Sequence, residues 1–121
     1  MATIRYMVND VEVSIEFYTK HLGFTLVEKM GPAFAMIEKQ DLQIWLSGPQ
    51  TSAARPMPDG RLPQPGGWNR FVIEVEDIES LVETMKQAGV LFRNEIISGP
   101  GGRQTLAEDP SGNPIEIFQP A

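Results

Sequence analysis

Two carboxylates stand where strand-like alternation would bring them to a working surface. Glu116 lies in Ile115-Glu116-Ile117-Phe118, so it points away from Ile115 and Ile117. Glu74 occupies the same kind of position in Phe71-Val72-Ile73-Glu74-Val75. Two acids that face one another can share general acid and general base work, which makes Glu74 and Glu116 the catalytic candidates. Little else in the chain is reactive. There is no cysteine, which removes thiolate chemistry and disulfides. The single histidine, His21, closes a helical pattern just before Leu22-Gly23, where the helix dipole favours a positive ring. It leaves no histidine for a Ser–His–Asp triad. The glycine-rich Ser98-Gly99-Pro100-Gly101-Gly102-Arg103 leads into strand-like Gln104-Thr105-Leu106-Ala107. A phosphate loop needs a helix N-terminus there, so this stretch is expected to be a turn between strands.

The elements that must position these residues come in two copies. Asp10-Val11-Glu12 recurs as Asp77-Ile78-Glu79. A short strand precedes each Asp, over 3–8 and 70–75, and a helix follows. Val11, Ile15, Tyr18 and Leu22 fall on one helical stripe, as do Ile78, Leu81, Val82 and Met85. Asp10 and Asp77 suit N-caps, and Gly23 and Gly89 suit left-handed stops. Strands are expected at 24–30, 33–38 and 42–46, then at 91–97, 104–107 and 115–118. Each half is then βαβββ, giving an α+β chain. The units run 1–46 and 68–121 of a single domain, joined by a Pro-, Gly-, Ser- and Ala-rich segment, 47–67. That segment carries Arg55, Asp59 and Arg61 and reads as a mobile surface crossover, with a substrate lid as the alternative. Asp109-Pro110-Ser111-Gly112-Asn113 is a tight turn before the last strand.

Alternation also sorts the strand faces. Ile4, Tyr6 and Val8, like Phe71, Ile73 and Val75, form apolar faces for the helices. The opposite faces carry Thr3, Arg5 and Met7, Gln43 and Trp45, and Arg70, Val72, Glu74, Glu116 and Phe118. The methionines are mostly fillers of core or pocket. A formal charge of −6 with no basic cluster argues against nucleic acid as a partner. The N-terminus has no long apolar run, so neither a signal peptide nor a membrane span is expected, and a cytoplasmic location is the default.

The doubled strand–Asp–helix–Gly order and the DPSGNPIEI hairpin, together spanning nearly the whole chain, resemble the vicinal-oxygen-chelate superfamily. That group includes glyoxalase I, extradiol dioxygenases, fosfomycin-resistance proteins and bleomycin-resistance proteins. The resemblance implies two βαβββ units forming a cupped antiparallel sheet with the helices outside. It further implies four metal-ligand positions inside the cup, which fall here on Thr3, Trp45, Arg70 and Glu116. Of these only Glu116 is a good ligand. Trp45 has no lone pair to give, and Arg70 brings a permanent positive charge. A slip of one residue would substitute Ala2, Ile4, Asn69 and Phe71, which make no better site. The expectation is therefore no metal and no other cofactor. Arg70 is expected to take the metal's place, pairing with Glu116 and offering its other N–H donors to an anionic or carbonyl oxygen of a ligand. Trp45 would stack on a planar ligand group or on the guanidinium.

Two functions follow. One is a metal-free small-molecule-binding protein, similar to the bleomycin-resistance branch, that sequesters an aromatic or anionic drug or metabolite. The resemblance to that branch implies a homodimer. The other is a glyoxalase- or dioxygenase-like enzyme, either metal-dependent or using Glu116 or Glu74 as base.

Overall fold

The computed structural model describes all residues, Met1–Ala121. The chain divides into two compact units, Met1–Gly66 and Gly67–Ala121. The first holds β1 (Ala2–Met7), α1 (Val11–Leu22), β2 (Thr25–Met30), β3 (Phe34–Lys39) and β4 (Leu42–Ser47). The second holds β5 (Val72–Glu74), α2 (Ile78–Gln87), β6 (Ile97–Gly99), β7 (Gly102–Glu108) and β8 (Pro114–Pro120). Both are βαβββ, and the chain is α+β. Neither helix is long and apolar enough to cross a membrane.

Each helix starts and stops as its sequence directs. Asp10 accepts from the Val13 backbone N–H and Asp77 from that of Ser80, each at 3.1 Å. Gly23 and Gly89 end them in left-handed conformations. Lys39 adds a charge-assisted bond at 2.8 Å to the Leu22 carbonyl, at the negative end of α1. The expected stripes face the core, with Ile15 and Leu81 only half-buried at their edges. Val11, Tyr18 and Leu22 bury in α1, and Ile78, Val82 and Met85 in α2. Against them lie Val8, Ile37, Ile44 and Leu46 in the first unit and Phe71, Ile73, Ile115 and Ile117 in the second, all buried.

The two sheets run β1-β4-β3-β2 and β5-β8-β7-β6. The hairpins are antiparallel as expected, but β1 pairs with β4, and β5 with β8, in parallel. Connectivity requires this. A helix carries the chain back to the starting end of the first strand, and two hairpins reverse it twice, so the first and fourth strands point the same way.

Two strands are shorter than their sequences suggest. The stretch 70–75 pairs as a strand only at Val72–Glu74, leaving Arg70 just ahead of it. The stretch 91–97 is not a strand. It touches β7 through an isolated bridge, Phe92 to Ala107, and regular pairing begins at Ile97. Asn94 is the cause. Its side-chain oxygen accepts from the Leu106 backbone N–H at 2.9 Å, and Thr105 Oγ1 donates to its carbonyl at 2.8 Å. A side chain thus fills a ladder position that a backbone carbonyl would otherwise take, and the segment bends away.

The turn before β8 is held by Asp109. Its Oδ1 accepts from the Ser111 and Asn113 backbone N–H groups at 2.8 and 3.0 Å, and its Oδ2 from the Asn113 side-chain amide at 3.0 Å. The glycine-rich stretch before β7 is a turn between β6 and β7.

Candidate functional site

Helix α1 covers one face of the first sheet, and the register fixes which residues share the other. Three rows cross it: Thr3–Gln43–Glu38, Arg5–Trp45–Met36 and Met7–Ser47–Phe34. All five residues expected on this face from β1 and β4 are there. A short relay orients the central aromatic. Trp45 Nε1 donates to Gln43 Oε1 at 2.7 Å, and Gln43 Nε2 donates to Glu38 Oε1 at 3.0 Å. Phe34 meets the Trp45 ring edge-on, with centroids 5.9 Å apart. The Arg5 guanidinium lies 5.1 Å from the Trp45 ring centroid, and its Nη1 donates to Ser47 Oγ at 3.0 Å. Stacked on an indole and held by a hydroxyl, this cation keeps donors free for another group.

In the second unit the equivalent row is Val72–Glu116–Leu106, beside Glu74–Phe118–Gln104. The Arg5–Trp45 pair of the first unit thus corresponds to Val72–Glu116 here, and Thr3 to Arg70. Arg70 joins this face from just before β5. Its Nε and Nη2 both donate to Glu116 Oε1, at 3.0 and 2.8 Å, and its Nη1 donates to the Trp68 carbonyl at 3.2 Å. Glu116 is 9% exposed. Because both N–H groups converge on one oxygen, Oε2 is engaged by no protein donor. Glu74 is exposed and sits across from Phe118, while Glu116 sits across from Val72. The two acids share a face without being cross-strand partners.

These side chains do not fit the metal that the fold suggests. In the first unit the ligand positions hold a threonine and a tryptophan. In the second, the one carboxylate already accepts two bonds from a guanidinium. No group of three or more His, Cys, Asp or Glu side chains in the structure has a geometry that would hold a metal ion, and catalytic metals take about three protein ligands.

Four residues escaped sequence reasoning. Glu38 and Phe34 reach the first face from β3, beside the expected filler Met36, and only the β3–β4 register reveals them. Ser47 holds Arg5, although the expected strand ended one residue earlier. Arg93 is the fourth. It donates to Glu108 Oε2 at 2.8 Å and to the Gly67 and Gly112 carbonyls at 2.6 and 2.9 Å, and lies 4.6 Å from the Trp68 ring centroid. It thereby fixes Trp68, whose carbonyl holds Arg70. No local pattern marks it.

His21 lies in the last turn of α1 with its ring 5.3 Å from that of Phe17. Burial and then the neighbouring Lys20 charge pull its pKa below the ordinary histidine value, against a smaller opposing pull from Glu16. The folded state therefore resists protonation of this ring. Its contribution to stability is complete above the unfolded value of about 6.5 and is lost as pH falls through the lower folded value. His21→Gln should flatten the acid-side decline of Tm just below neutrality. Melting curves of both proteins across that range check this, and parallel curves would refute it.

The glyoxalase/bleomycin resistance protein/dioxygenase superfamily model matches residues 1–117, and the chain belongs to that family. It is similar to a bleomycin resistance protein of Geobacillus stearothermophilus, with 31% identity over 119 residues, covering 93% of this chain and 90% of the relative. It is also similar to a lactoylglutathione lyase of Pseudomonas putida, at 24% identity over 140 residues, 93% of this chain and 80% of the relative. Among solved structures it matches a superfamily member from Sphaerobacter thermophilus DSM 20745. That match has a TM-score of 0.77 and 27% identity, and covers 98% of this chain and 95% of the other.

Proposed function

We propose that this chain binds a small molecule, a drug or metabolite, on the helix-free faces of its sheets and holds it without chemistry. Trp45 offers an oriented aromatic plane, and Arg70 with Glu116 offers a charged, hydrogen-bonding group. The observation that carries the reading is the Arg70–Glu116 pair. The carboxylate best suited to a metal is instead bonded twice to a guanidinium, on the scaffold of a relative named for drug resistance. An oriented aromatic plane on one sheet and a hydrogen-bonding charged pair on the other are the kinds of group that line ligand pockets.

Titration with bleomycin in a calorimeter tests this directly. Saturable binding is expected without added metal, and elemental analysis after incubation with Ni²⁺, Mn²⁺, Fe²⁺ or Zn²⁺ and desalting should find no retained ion. Near-stoichiometric metal that disappears in Glu116→Ala would overturn the metal-free reading. A homodimer in the cytoplasm completes the proposal, and light scattering on the same sample separates dimer from monomer.

The second reading is an enzyme, favoured by the likeness to a lyase and by the unengaged Glu116 Oε2. That oxygen has the acceptor capacity of a general base. Turnover that survives chelation and is lost in Glu116→Gln would support it.

A further inference from the structure

The segment 47–67, expected as a crossover between the units, falls almost wholly within the first unit and is built rather than slack. Gly48 N–H donates to the Ala33 carbonyl at 2.8 Å, and Thr51 Oγ1 donates to the Gly48 carbonyl at 2.8 Å. A short 3-10 turn spans Ser52–Ala54. A second turn is closed by Met57 N–H to the Arg61 carbonyl at 2.8 Å and by Arg61 Nε to Asp59 Oδ2 at 2.7 Å. Folded this way, the segment places Ala54, Leu62, Pro63 and Pro65 with Met7, at the end of β1, around a half-open cavity of about 210 Å³. Its walls are mostly apolar, and prolines lose little entropy on ordering.

Two residues before the lining residue Met7, on the same face of β1, Arg5 has no carboxylate partner. Arg61, Arg70, Arg93 and Arg103 each pair with a carboxylate. Arg5 and the exposed Arg55 do not, and of these two only Arg5 has its side chain held in place, by the Ser47 hydroxyl and the Trp45 ring. Ser47 is the cross-strand partner of Met7. The guanidinium therefore leans along β1 from its own row toward the row that lines the cavity. Arg5 and Met7 are two residues apart on one face, roughly 7 Å along the strand.

We infer that this cavity is a subsite for a small ring carrying an anionic substituent, an aromatic carboxylate or sulfonate, with the ring against Met7, Leu62 and Pro63 and the anion on Arg5. The inference rests on the small-molecule-binding reading and narrows it to a ligand class. The volume lies below the roughly 300–1,000 Å³ of pockets for drug-sized ligands, so the cavity accepts one small ring system and not a whole drug.

2-Naphthoate and its uncharged amide serve as probes, followed by NMR on the full chain. Saturable shifts are expected at the Met7 and Leu62 methyl groups, with the carboxylate binding more tightly than the amide. Arg5→Gln should weaken naphthoate about tenfold, the size of one charge-assisted hydrogen bond, and leave the amide unchanged. Leu62→Asp, at an exposed wall position, should weaken both while leaving the melting temperature in place. Shifts that map away from Met7 and Leu62, or naphthoate binding indifferent to Arg5→Gln, would overturn the subsite. Naphthoate binding as expected with no response to bleomycin would uphold the subsite and refute only the drug named for the relative. Bleomycin binding with no naphthoate response would do the reverse.

Discussion

Replacing Arg70 by alanine should abolish the proposed ligand binding and cost the fold only about 1–3 kcal/mol. The stability estimate comes from the pair's position between two limits. Exposed ion pairs contribute about 0–1 kcal/mol, and removing one partner of a fully buried pair costs about 3–5 kcal/mol. The Arg70 and Glu116 side chains are 29% and 11% exposed, nearer the buried limit but still open to solvent. Truncating Arg70 opens space through which water reaches Glu116 Oε1, so the stranded carboxylate is partly rehydrated. Binding should have no such relief, because in the proposed site the guanidinium supplies the fixed cationic donors of this face. Urea unfolding and calorimetric titration with bleomycin on the same protein check both halves. A loss near the buried limit with binding intact would make the pair purely structural. Glu116→Gln separates charge from hydrogen bonding, since an amide oxygen can still accept from Arg70.

What the sequence disclosed follows the range of its signals. Asp10, Asp77, Gly23 and Gly89 act within a turn of where they stand, and each helix begins and ends with them. Period-two alternation put Thr3, Arg5, Met7, Gln43 and Trp45 on one face, as the register shows. The failures are non-local. Asn94 looks unremarkable inside a run of strand formers. It bends the chain because Thr105 and Leu106, far along the sequence, offer it a donor each. Arg93 lies in the same stretch, and its partners Gly67, Glu108 and Gly112 come from three separate loops or strand ends. The parallel pairing of β1 with β4 was derivable by following chain direction through the helix, whereas alternation within a strand carries no information on its neighbour. The segment 47–67 was compositionally a loose crossover. Its order comes from Asp59 on Arg61 and Thr51 on Gly48, contacts that composition does not report.

Gly102→Ala should be among the most damaging single-methyl substitutions in this chain, costing about 3 kcal/mol or more and lowering Tm by roughly 10 °C or more. Gly102 has φ +147° at the start of β7, directly across from Pro120 of β8. A Cβ built there falls 2.2 Å from the Gln119 carbonyl oxygen and 3.0 Å from Pro120 Cα. Neither neighbour is a flexible side-chain end, so relief requires moving the β8 backbone. Gly112 supplies the control. It also has positive φ, +86°, but an added Cβ there meets nothing within 4 Å. Gly112→Ala therefore carries the left-handed strain alone, about 1–2 kcal/mol. Urea midpoints of the two variants measure the difference, which combines the clash with the less favourable φ at Gly102, and equal midpoints would refute the argument. The displaced strand is also the one that presents Glu116 between β5 and β7. Gly102→Ala should thus weaken binding through Glu116 without touching a ligand, while Gly112→Ala, in the turn ahead of β8, leaves affinity unchanged.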